Sequence, residues 1–296
     1  MTQNPSKPEL LAPAGDLQAG LIAFECGADA VYAGLQRFNA RERNENFSTD
    51  DLATLILAAR QQNRKVYVTL NTLIREPELA DVAEMLAELD RLRPDAVIVQ
   101  DLGVLRMIRE AFPRLKIHAS TKMGSHNSAA VNWLARRGVE RVILQRQIPV
   151  DELSEIVRSS QIEVEAFVHG ALCCCLSGAC MFSSWMGGWS GNRGKCKQPC
   201  RRRYFSEQGN GFFFSTNDLY GLDVLDQLED AGVASLKIEG RLRKADYVEH
   251  VVKAYRMMLD TPREHRQARL GEARAELSRA LGRKWSHGYL VRDEWN

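Results

Sequence analysis

The sequence predicts an α/β protein of 296 residues whose core is a (β/α)8 TIM-like barrel. Two observations support this prediction: short runs rich in β-branched residues recur along the chain, and amphipathic segments separate them. Strands that alternate with helices form a parallel sheet, and eight such strands can close into a barrel. The predicted strands are Leu10–Pro13, Ala30–Gly34, Val66–Asn71, Ala96–Asp101, Lys116–Thr121, Arg141–Arg146, Val164–Gly170 and Ser235–Glu239.

The segments between these strands have the apolar spacing of helices that pack one face on a core. The predicted helices include Thr49–Gln62, Glu78–Arg91, Leu102–Ala111, Ala129–Arg137 and Asp151–Ser159. A doubly wound open sheet is the alternative, but the first turn reads APAGD and lacks the glycine-rich dinucleotide motif. A chain of this length can bury one large core, so a single barrel is the simpler interpretation.

In a barrel of this type, active groups lie at the carboxyl ends of the strands. Polar residues occur at or just after these ends, namely Asp16, Asn71, Gln100, Asp101, Ser120, Thr121, Lys122, Arg146, His169, Glu239 and Arg241. We therefore expect them to surround a single mouth. Polar residues occur wherever strands enter loops, so this ring alone is weak evidence of function.

The most unusual segment, residues 163–203, begins with the seventh strand and continues as a long insertion where a short turn would be expected. It contains six of the seven cysteines: Cys173, Cys174, Cys175, Cys180, Cys196 and Cys200. A hairpin over residues 203–216, with its turn at Gln208–Gly211, and a helix beginning near Asn217 are predicted to lead back to the sheet. The cysteine-rich insertion would then lie over the barrel mouth.

Six clustered cysteines require a chemical explanation. Disulfides form in secreted proteins, and the segment MTQNPSKPELLAP has no apolar signal region. Structural zinc usually takes two short pairs of cysteines, and here only Cys196 and Cys200 approach such a pair. Iron–sulfur clusters also bind four thiolates, and the wider spacing of Cys173, Cys180, Cys196 and Cys200 suits a cluster within a loop. The spacing favours an iron–sulfur cluster and a zinc site about equally, and it favours both strongly over cysteines with no ligand role.

The composition is that of a soluble protein, with 26% charged residues and a formal net charge of +2. This charge does not by itself indicate a nucleic-acid partner. The chain has no apolar run close to the roughly 18 residues of a membrane span, so we expect a cytoplasmic protein with no membrane partner. The basic residues Arg193, Lys195, Lys197 and 201–203 could follow a phosphate backbone, but a solvated loop explains them equally well.

We divide the chain into a barrel, residues 1–260, which includes the cysteine loop at 171–203, and a C-terminal helical extension, residues 261–296. A helix over Ala245–Leu259 is predicted to pack the end of the barrel. The basic segment Arg263–Arg283 is also helix-prone, and the tail WSHGYLVRDEW follows it.

The cysteine segment reads EAFVHGALCCCLSGAC and then NRGKCKQPCR, and further motifs occur at ELLAPAGD, HAST, SLKIEGR and YRMMLD. Together these motifs resemble the signature of peptidase family U32 over almost the whole chain. The motifs TLNT and VQDLG resemble the branch that forms 5-hydroxycytidine in RNA. The resemblance implies an oxygen-independent hydroxylase with a [4Fe-4S] cluster, which forms 5-hydroxycytidine in rRNA or 5-hydroxyuridine in tRNA. It also implies an RNA substrate, prephenate as a candidate co-substrate, and a candidate electron-transfer or accessory protein.

The resemblance and the strand ends together give a set of expected site residues. The cluster ligands would be Cys173, Cys180, Cys196 and Cys200. The catalytic residues would be Glu165, His169 and Arg146, with the first two handling protons. The substrate-binding residues would be Arg41, Asn71, Lys122, Glu239 and Arg241, since cations suit carboxylates and phosphates.

Two positions depart from the family pattern. Lys122 stands where relatives commonly have Gln, and Gln147 stands where they usually have Glu. Both differences make the mouth more positive, and they bear on the identity of the substrate more than on the cluster.

Three other functions remain open. A U32-type protease follows from the family label, but the sequence lacks the H-E-x-x-H and G-x-S-x-G motifs, and a cysteine protease would have to pair His169 with Cys173. A hydroxylase of a small molecule in a quinone pathway is known among similar proteins. A zinc-stabilised RNA-binding module would use the basic residues near the cysteines.

Overall fold

Eight parallel strands form the centre of the protein in a computed structural model, of which we describe residues 7–42 and 46–292. The barrel strands are β1 (Glu9–Pro13), β2 (Ala30–Ala33), β3 (Lys65–Leu70), β4 (Ala96–Val99), β5 (Ile117–Ala119), β6 (Arg141–Ile143), β7 (Glu163–Ala171) and β11 (Ser235–Ile238). The shorter strands outside the barrel are β8 (Tyr204–Ser206), β9 (Gly209–Gly211), β10 (Asp218–Tyr220) and β12 (Trp285–Ser286). Strands β1 to β7 pair with one another in order, and β11 pairs with both β7 and β1. The ring is therefore closed, and the predicted (β/α)8 barrel is confirmed.

Helices follow the barrel strands and cover the outside of the sheet. They are α1 (Leu17–Glu25), α2 (Thr49–Gln61), α3 (Leu79–Leu92), α4 (Leu102–Ala111), α5 (Ser128–Ala135), α6 (Val150–Ser159), α8 (Leu225–Asp230) and α9 (Ala245–Asp260). The short helix α7 (Phe182–Trp185) lies in the cysteine loop, and α10 (Arg263–Leu277) follows α9. Asp16, Ser48, Asp101 and Asn127 each accept a hydrogen bond from a backbone N–H in the first turn of a helix. Within the described residues, no helix is both long and apolar enough to cross a membrane.

Ion pairs fill much of the barrel interior near the amino ends of its strands. Arg141 Nη1 lies 2.6 Å from Glu9 Oε1 and 3.3 Å from Glu165 Oε2, and Lys237 Nζ lies 2.7 Å from Glu165 Oε1. The Tyr67 hydroxyl also donates to Glu9 at 2.7 Å. These buried charges have partners of opposite sign, as a low-dielectric interior requires. The pairs connect β1, β6, β7 and β11, so they link β11, the strand that closes the barrel, with the strands on both sides of it.

The connection after β7 differs in two details from the sequence prediction. Strands β8 and β9 form the expected hairpin, but Ser206 pairs with Gly209, so the turn lies earlier than Gln208–Gly211. A helix near Asn217 was also expected. Residues 218–220 instead form β10, an antiparallel partner of β7, and α8 begins at Leu225. The carboxyl end of β7 extends past the barrel, and its free edge is satisfied by pairing with β10.

The C-terminal residues pack on the barrel. Helix α10 packs against α9, and β12 pairs in parallel with β10 through Asp218 and Trp285. Arg266 of α10 makes a hydrogen bond of 2.8 Å to Glu229 of α8. The division at residue 260 stays a prediction.

Candidate active site

A cavity of about 190 Å³ lies at the carboxyl ends of the barrel strands. Ile98, Ile143 and Phe167 contribute its apolar barrel side, and the cysteine loop, residues 171–203, covers it. Ten of the expected site residues line it: Arg41, Asn71, Lys122, Arg146, Cys173, Cys180, Cys196, Cys200, Glu239 and Arg241. Because the loops that follow parallel strands emerge at one end of a barrel, residues from distant parts of the chain meet there.

Glu239 is the carboxylate of this cavity, and it faces two arginines. Arg41 Nη2 lies 2.9 Å from Glu239 Oε1, and Arg146 Nη2 lies 3.9 Å from Oε2. Burial raises the pKa of Glu239, but the attraction of Arg41 and Arg146 outweighs burial and lowers it overall. Glu239 is therefore ionised at neutral pH and orients the two guanidinium groups.

The cavity nevertheless has an excess of positive charge. The described residues that line it include one carboxylate, Glu239, and six cations, which are Arg41, Lys122, Arg146, Arg201, Lys237 and Arg241. Arg41 Nε is buried and finds no hydrogen-bond partner in the described part of the chain. A buried donor without a partner is costly, so the cavity suits an anionic ligand that accepts hydrogen bonds.

Contacts with neutral side chains, in addition to electrostatic attraction, fix the guanidinium groups of Arg241 and Arg146. Arg241 donates to the Thr69 hydroxyl at 2.6 Å and to the Asn39 side chain, and burial lowers its pKa to about 10. Arg146 donates to the Ser177 hydroxyl at 2.8 Å, and its guanidinium lies 3.7 Å from the centre of the Phe167 ring. Both cations are therefore fixed in position before any ligand binds.

Lys122 joins the barrel to the cysteine loop. Its Nζ donates to the carbonyl oxygens of Asn71 at 3.0 Å and Asn192 at 3.3 Å. Burial, together with Arg41 and Arg241 nearby, lowers the pKa of Lys122 from 10.5 to about 7. A lysine with this pKa exchanges its proton near neutral pH, which is a property of catalytic groups.

His169 lies outside the cavity. Lys237 of β11 pairs with Phe167 of β7, but the next residue of β11, Ile238, pairs with His169, so β7 has one extra residue. Such a β-bulge reverses the alternation of side chains. The His169 ring therefore packs 5.5 Å from Tyr255 of α9, and burial lowers its pKa to about 4.

Glu165 also lies away from the cavity lining. It is fully buried one layer deeper in the barrel, where Arg141 and Lys237 pair with it. Its contacts are those of a structural carboxylate that balances two buried cations. Thus, of the three expected catalytic residues, the structure brings only Arg146 to the cavity.

Some of the other polar residues at the strand ends line the cavity, and others lie elsewhere. Ser120 and Thr121 line the cavity, whereas Asp16 and Asp101 cap helices. Gln100 lines a neighbouring groove. Gln147 is not among the cavity residues, so of the two departures from the family pattern only Lys122 changes the charge of the cavity.

Tyr32, Phe167 and Lys237 line the cavity but were missed by the sequence analysis. Lys237 Nζ lies 4.2 Å from the centre of the Tyr32 ring, and the Tyr32 hydroxyl donates to Glu239 at 3.3 Å. A signal was present in the sequence, since Ser235, Lys237 and Glu239 alternate with apolar residues in a strand that is otherwise buried.

The cysteine loop is fixed on the barrel by several contacts. Arg193 Nη2 lies 2.6 Å from Glu78 Oε1, and the Leu73 N–H donates to the Asn192 carbonyl at 3.2 Å. Gly178 has φ of +91°, and a Cβ there would lie 2.1 Å from the Lys122 carbonyl oxygen. Only glycine fits this approach, so the backbone of the loop lies directly against the loop after β5.

The four expected ligand cysteines, Cys173, Cys180, Cys196 and Cys200, fit an iron–sulfur cluster by donor type and location. All four line one cavity, and Cys196 Sγ accepts hydrogen bonds from the Gln198 N–H at 3.4 Å and the Ser183 hydroxyl at 3.7 Å. Hydrogen bonds to sulfur are a usual feature of such sites. Within residues 7–42 and 46–292, no three His, Cys, Asp or Glu side chains stand close enough together to hold a metal ion. The fit therefore rests on the donor set and its location rather than on sulfur positions.

The two further thiols differ in location. Cys174 lines the cavity and its Sγ lies 3.8 Å from that of Cys175, which does not line it.

Among the four expected ligands, burial raises the pKa of the thiols of Cys180 and Cys200. These two thiols are therefore protonated at neutral pH when free, and binding a metal would release their protons.

Comparison with known proteins identifies relatives that match most of this chain. A protein of Methanocaldococcus jannaschii, described as an uncharacterized protease, is 35% identical over 96% of this chain and 73% of its own length. The tRNA hydroxylation protein P1 of Bacillus subtilis is 34% identical over 86% of this chain and 63% of its own length. The 23S rRNA 5-hydroxycytidine C2501 synthase of Escherichia coli is 34% identical over 99% of this chain but 44% of its own length. The chain thus spans between about half and three quarters of these relatives.

A solved structure and a family model agree with these relatives. The structure of a U32 peptidase matches 80% of this chain and 94% of its own with a TM-score of 0.56, and its 11% identity means that it supports the fold alone. The model of peptidase family U32 matches residues 15–295. The chain therefore belongs to peptidase family U32.

Proposed function

We propose that this protein is an iron–sulfur-dependent hydroxylase that modifies a pyrimidine of rRNA or tRNA. The observation that carries the proposal is the position of four cysteines over a cationic cavity at the carboxyl ends of the barrel strands. This is the end at which barrel enzymes act. Relatives that cover most of this chain have names that describe hydroxylation of tRNA or 5-hydroxycytidine synthesis in 23S rRNA.

The size and charge of the cavity suit a small anion and one base. Its volume of about 190 Å³ is below the ~300–1,000 Å³ of pockets that enclose drug-sized ligands. A folded RNA cannot enter such a space, so the target nucleotide would be unpaired or extruded from its helix. The apolar side chains of Ile98, Ile143 and Phe167 provide a surface for the base.

The cations would bind the carboxylate or phosphate groups of the ligands. Arg41 has a donor, Nε, without a partner among the described residues, and Arg146 and Arg241 are already fixed by hydrogen bonds. A small carboxylate such as prephenate could therefore act as co-substrate and be held by two or more guanidinium groups. Lys122, with a pKa of about 7, would exchange the proton that the reaction requires.

Cys173, Cys180, Cys196 and Cys200 would hold a [4Fe-4S] cluster. A bound cluster supplies one-electron redox chemistry. The protein residues nearby would keep the base and the co-substrate close together and exclude water. Replacing C–H by C–OH is a two-electron oxidation of the base, so the co-substrate or a separate electron-transfer protein would accept the two electrons.

Analysis of RNA nucleosides in the host organism tests this function. Deletion of the gene should remove one hydroxylated pyrimidine from rRNA or tRNA, as measured by mass spectrometry of digested RNA. The wild-type gene should restore it, whereas Cys180→Ala and Arg146→Ala should not. Arg109→Ala, a change outside the cavity, is the control and should restore it. An unchanged nucleoside profile after deletion would contradict RNA hydroxylation and favour a small-molecule hydroxylase.

A protease is less compatible with the geometry. A catalytic cysteine needs a histidine within hydrogen-bond reach, and His169, the histidine nearest in sequence to Cys173, packs against α9 instead. A zinc-stabilised RNA-binding module would need basic residues that are free to bind phosphate. Arg193 is paired with Glu78, and Arg201 donates to the Thr216 carbonyl at 2.6 Å, so two of the basic residues fix the loop.

A further inference from the structure

Four large aromatic side chains are exposed beside the cavity, and we name them the aromatic rim. Their exposed fractions are 83% for Trp185, 76% for Phe205, 59% for Phe212 and 67% for Phe213. Burying an aromatic side chain stabilises a fold, so folding alone does not explain why four remain in solvent. Exposed apolar clusters of this kind usually mark a binding surface.

The aromatic rim is attached to the wall of the cavity by a second, packed group of rings. Phe182 lines the cavity, and the ring of Tyr204 stacks on it with centroids 6.3 Å apart. Phe214 meets both rings edge-on, at 5.2 Å from Phe182 and 5.3 Å from Tyr204. The hairpin of β8 and β9 is therefore packed on a side chain of the cavity wall, and the exposed rings of Phe205, Phe212 and Phe213 are neighbours in sequence of the packed rings.

The charge around the aromatic rim identifies its partner. Residues 185–216 contain six basic residues and a single acidic one, Glu207. Arg202 and Arg203 are exposed, and the guanidinium of Arg203 lies 5.8 Å from the centre of the Phe205 ring. The centres of protein–protein interfaces are depleted in charged residues, whereas single-stranded nucleic acids bind to aromatic rings interspersed with cations.

We propose that the aromatic rim binds unpaired RNA nucleotides on either side of the base that enters the cavity, by stacking their bases on its rings. This inference rests on the proposed function, because it assumes that the target base belongs to RNA. Arg202 and Arg203 bind the intervening phosphates. Stacking does not distinguish between bases, so the rim contributes affinity and a preference for single strands rather than sequence specificity.

Binding of a fluorescent single-stranded RNA by the purified full-length protein tests the proposal. A variant with both Phe205→Ala and Phe213→Ala should bind the RNA at least about tenfold more weakly, as expected for the loss of base stacking. A variant with both residues changed to Tyr should bind like the wild type. Leu281→Ala removes a side chain that is 79% exposed outside the rim, and it serves as the control.

The salt dependence and the strand preference give two further readouts. Changing Arg202 and Arg203 to Gln should reduce the slope of log affinity against log salt by about 1.4, because two phosphate contacts on a single strand are lost. A duplex of the same sequence should bind more weakly than the single strand. Wild-type RNA affinity in the double Ala variant, or equal affinity for duplex and single strand, would overturn the proposal.

The nucleoside analysis separates this proposal from the proposed function. If deletion leaves the nucleoside profile unchanged but the double Ala variant loses RNA affinity, RNA hydroxylation is wrong, whereas binding of single-stranded RNA by the aromatic rim stands. If deletion removes the hydroxylated pyrimidine but the double Ala variant restores it and binds RNA normally, the function stands and the rim proposal is wrong.

Discussion

At the scale of single residues, the charge of the cavity is controlled by a few buried contacts. Glu239 balances part of the charge of Arg41 and Arg146, and Lys237 is paired with Glu165. Lys122, Arg201 and Arg241 donate hydrogen bonds to neutral groups. The residues that line the cavity therefore keep a net positive charge. A carboxylate or phosphate ligand would therefore enter a preorganised site and pay little reorganisation energy.

The cysteines give a residue-scale prediction about iron. Changing Cys173, Cys180, Cys196 or Cys200 to Ala should lower the iron and sulfide of anaerobically purified protein well below about four of each per chain, the content of a cubane cluster. Cys175→Ala should retain full content, because Cys175 does not line the cavity. Cys174→Ala should also retain it, because Cys174, although it lines the cavity, is not one of the four proposed ligands. Stoichiometric zinc without sulfide in anaerobic wild-type protein would rule the cluster out.

At the scale of elements, the cysteine loop is a separate unit that docks on a rigid barrel. Its backbone touches the barrel loops at two glycines, Gly178 against the Lys122 carbonyl and Gly194 against the Asn39 carbonyl. Arg193 and Lys122 add polar contacts from either side. Cys180 lies between these two glycines in sequence, and Cys173 and Cys196 lie within five residues of one of them. Docking of the loop would therefore affect any metal site that these cysteines form.

Gly178→Ala tests the close approach of the loop. Both Gly178 and Gly188 have positive φ, so an Ala at either position costs about 1–2 kcal/mol from backbone strain. A Cβ at Gly178 would also lie 2.1 Å from a backbone oxygen, whereas nothing lies within 4 Å at Gly188. Gly178→Ala should therefore lose most of its iron in metal analysis, and Gly188→Ala should retain it. Equal iron in the two variants would contradict the docking geometry.

The ion pair between Glu78 and Arg193 makes loop docking sensitive to acid. The hydrogen bond from Arg193 lowers the pKa of Glu78 from 4.5 to about 2. A carboxyl whose folded-state pKa is lowered stabilises the fold fully above its unfolded-state pKa, and this contribution disappears as the pH falls towards 2. The difference in urea midpoint between the wild type and Glu78→Gln should therefore shrink between pH 6 and about pH 3. A constant difference would show that the pair does not stabilise the fold.

At the scale of the whole molecule, the barrel closes through buried charge as well as backbone pairing. Arg141 on β6 reaches Glu9 on β1 and Glu165 on β7, and Lys237 on β11 reaches the same Glu165. These contacts cross the interior beneath the active cavity. They fix the strands whose carboxyl ends present Arg146 and Glu239, so the same network that stabilises the barrel also positions the site.

Arg141→Met tests this network. The change leaves buried carboxylates without a cation, and breaking a buried pair in this way costs about 3–5 kcal/mol. Arg114 is paired with Asp90 on the surface, with 63% of its side chain exposed, so Arg114→Met should cost less than about 1 kcal/mol. Urea denaturation measures both values. A cost for Arg141→Met as small as that of the surface control would contradict a structural role for the network.

The sequence by itself determined the barrel and several of the charged and polar residues that line the cavity. Alternating β-branched and amphipathic segments predicted the strands and helices, because these periodicities follow directly from strand and helix geometry. The rule that active groups lie at the carboxyl ends of strands then identified Asn71, Lys122, Arg146, Glu239 and Arg241. Each of these follows its strand closely, so its direction depends little on distant contacts.

The tertiary structure alone decided the positions of His169, Glu165 and Asn217. His169 turns away from the cavity because pairing with β11 introduces a bulge into β7, and no local pattern reports a shift in pairing. Glu165 lies deeper in the barrel because Arg141 and Lys237, distant in sequence, meet it there. The helix expected near Asn217 is instead a strand, because the extended end of β7 offers an edge for pairing. Pairing between distant strands is a long-range interaction, and it overrides local preference.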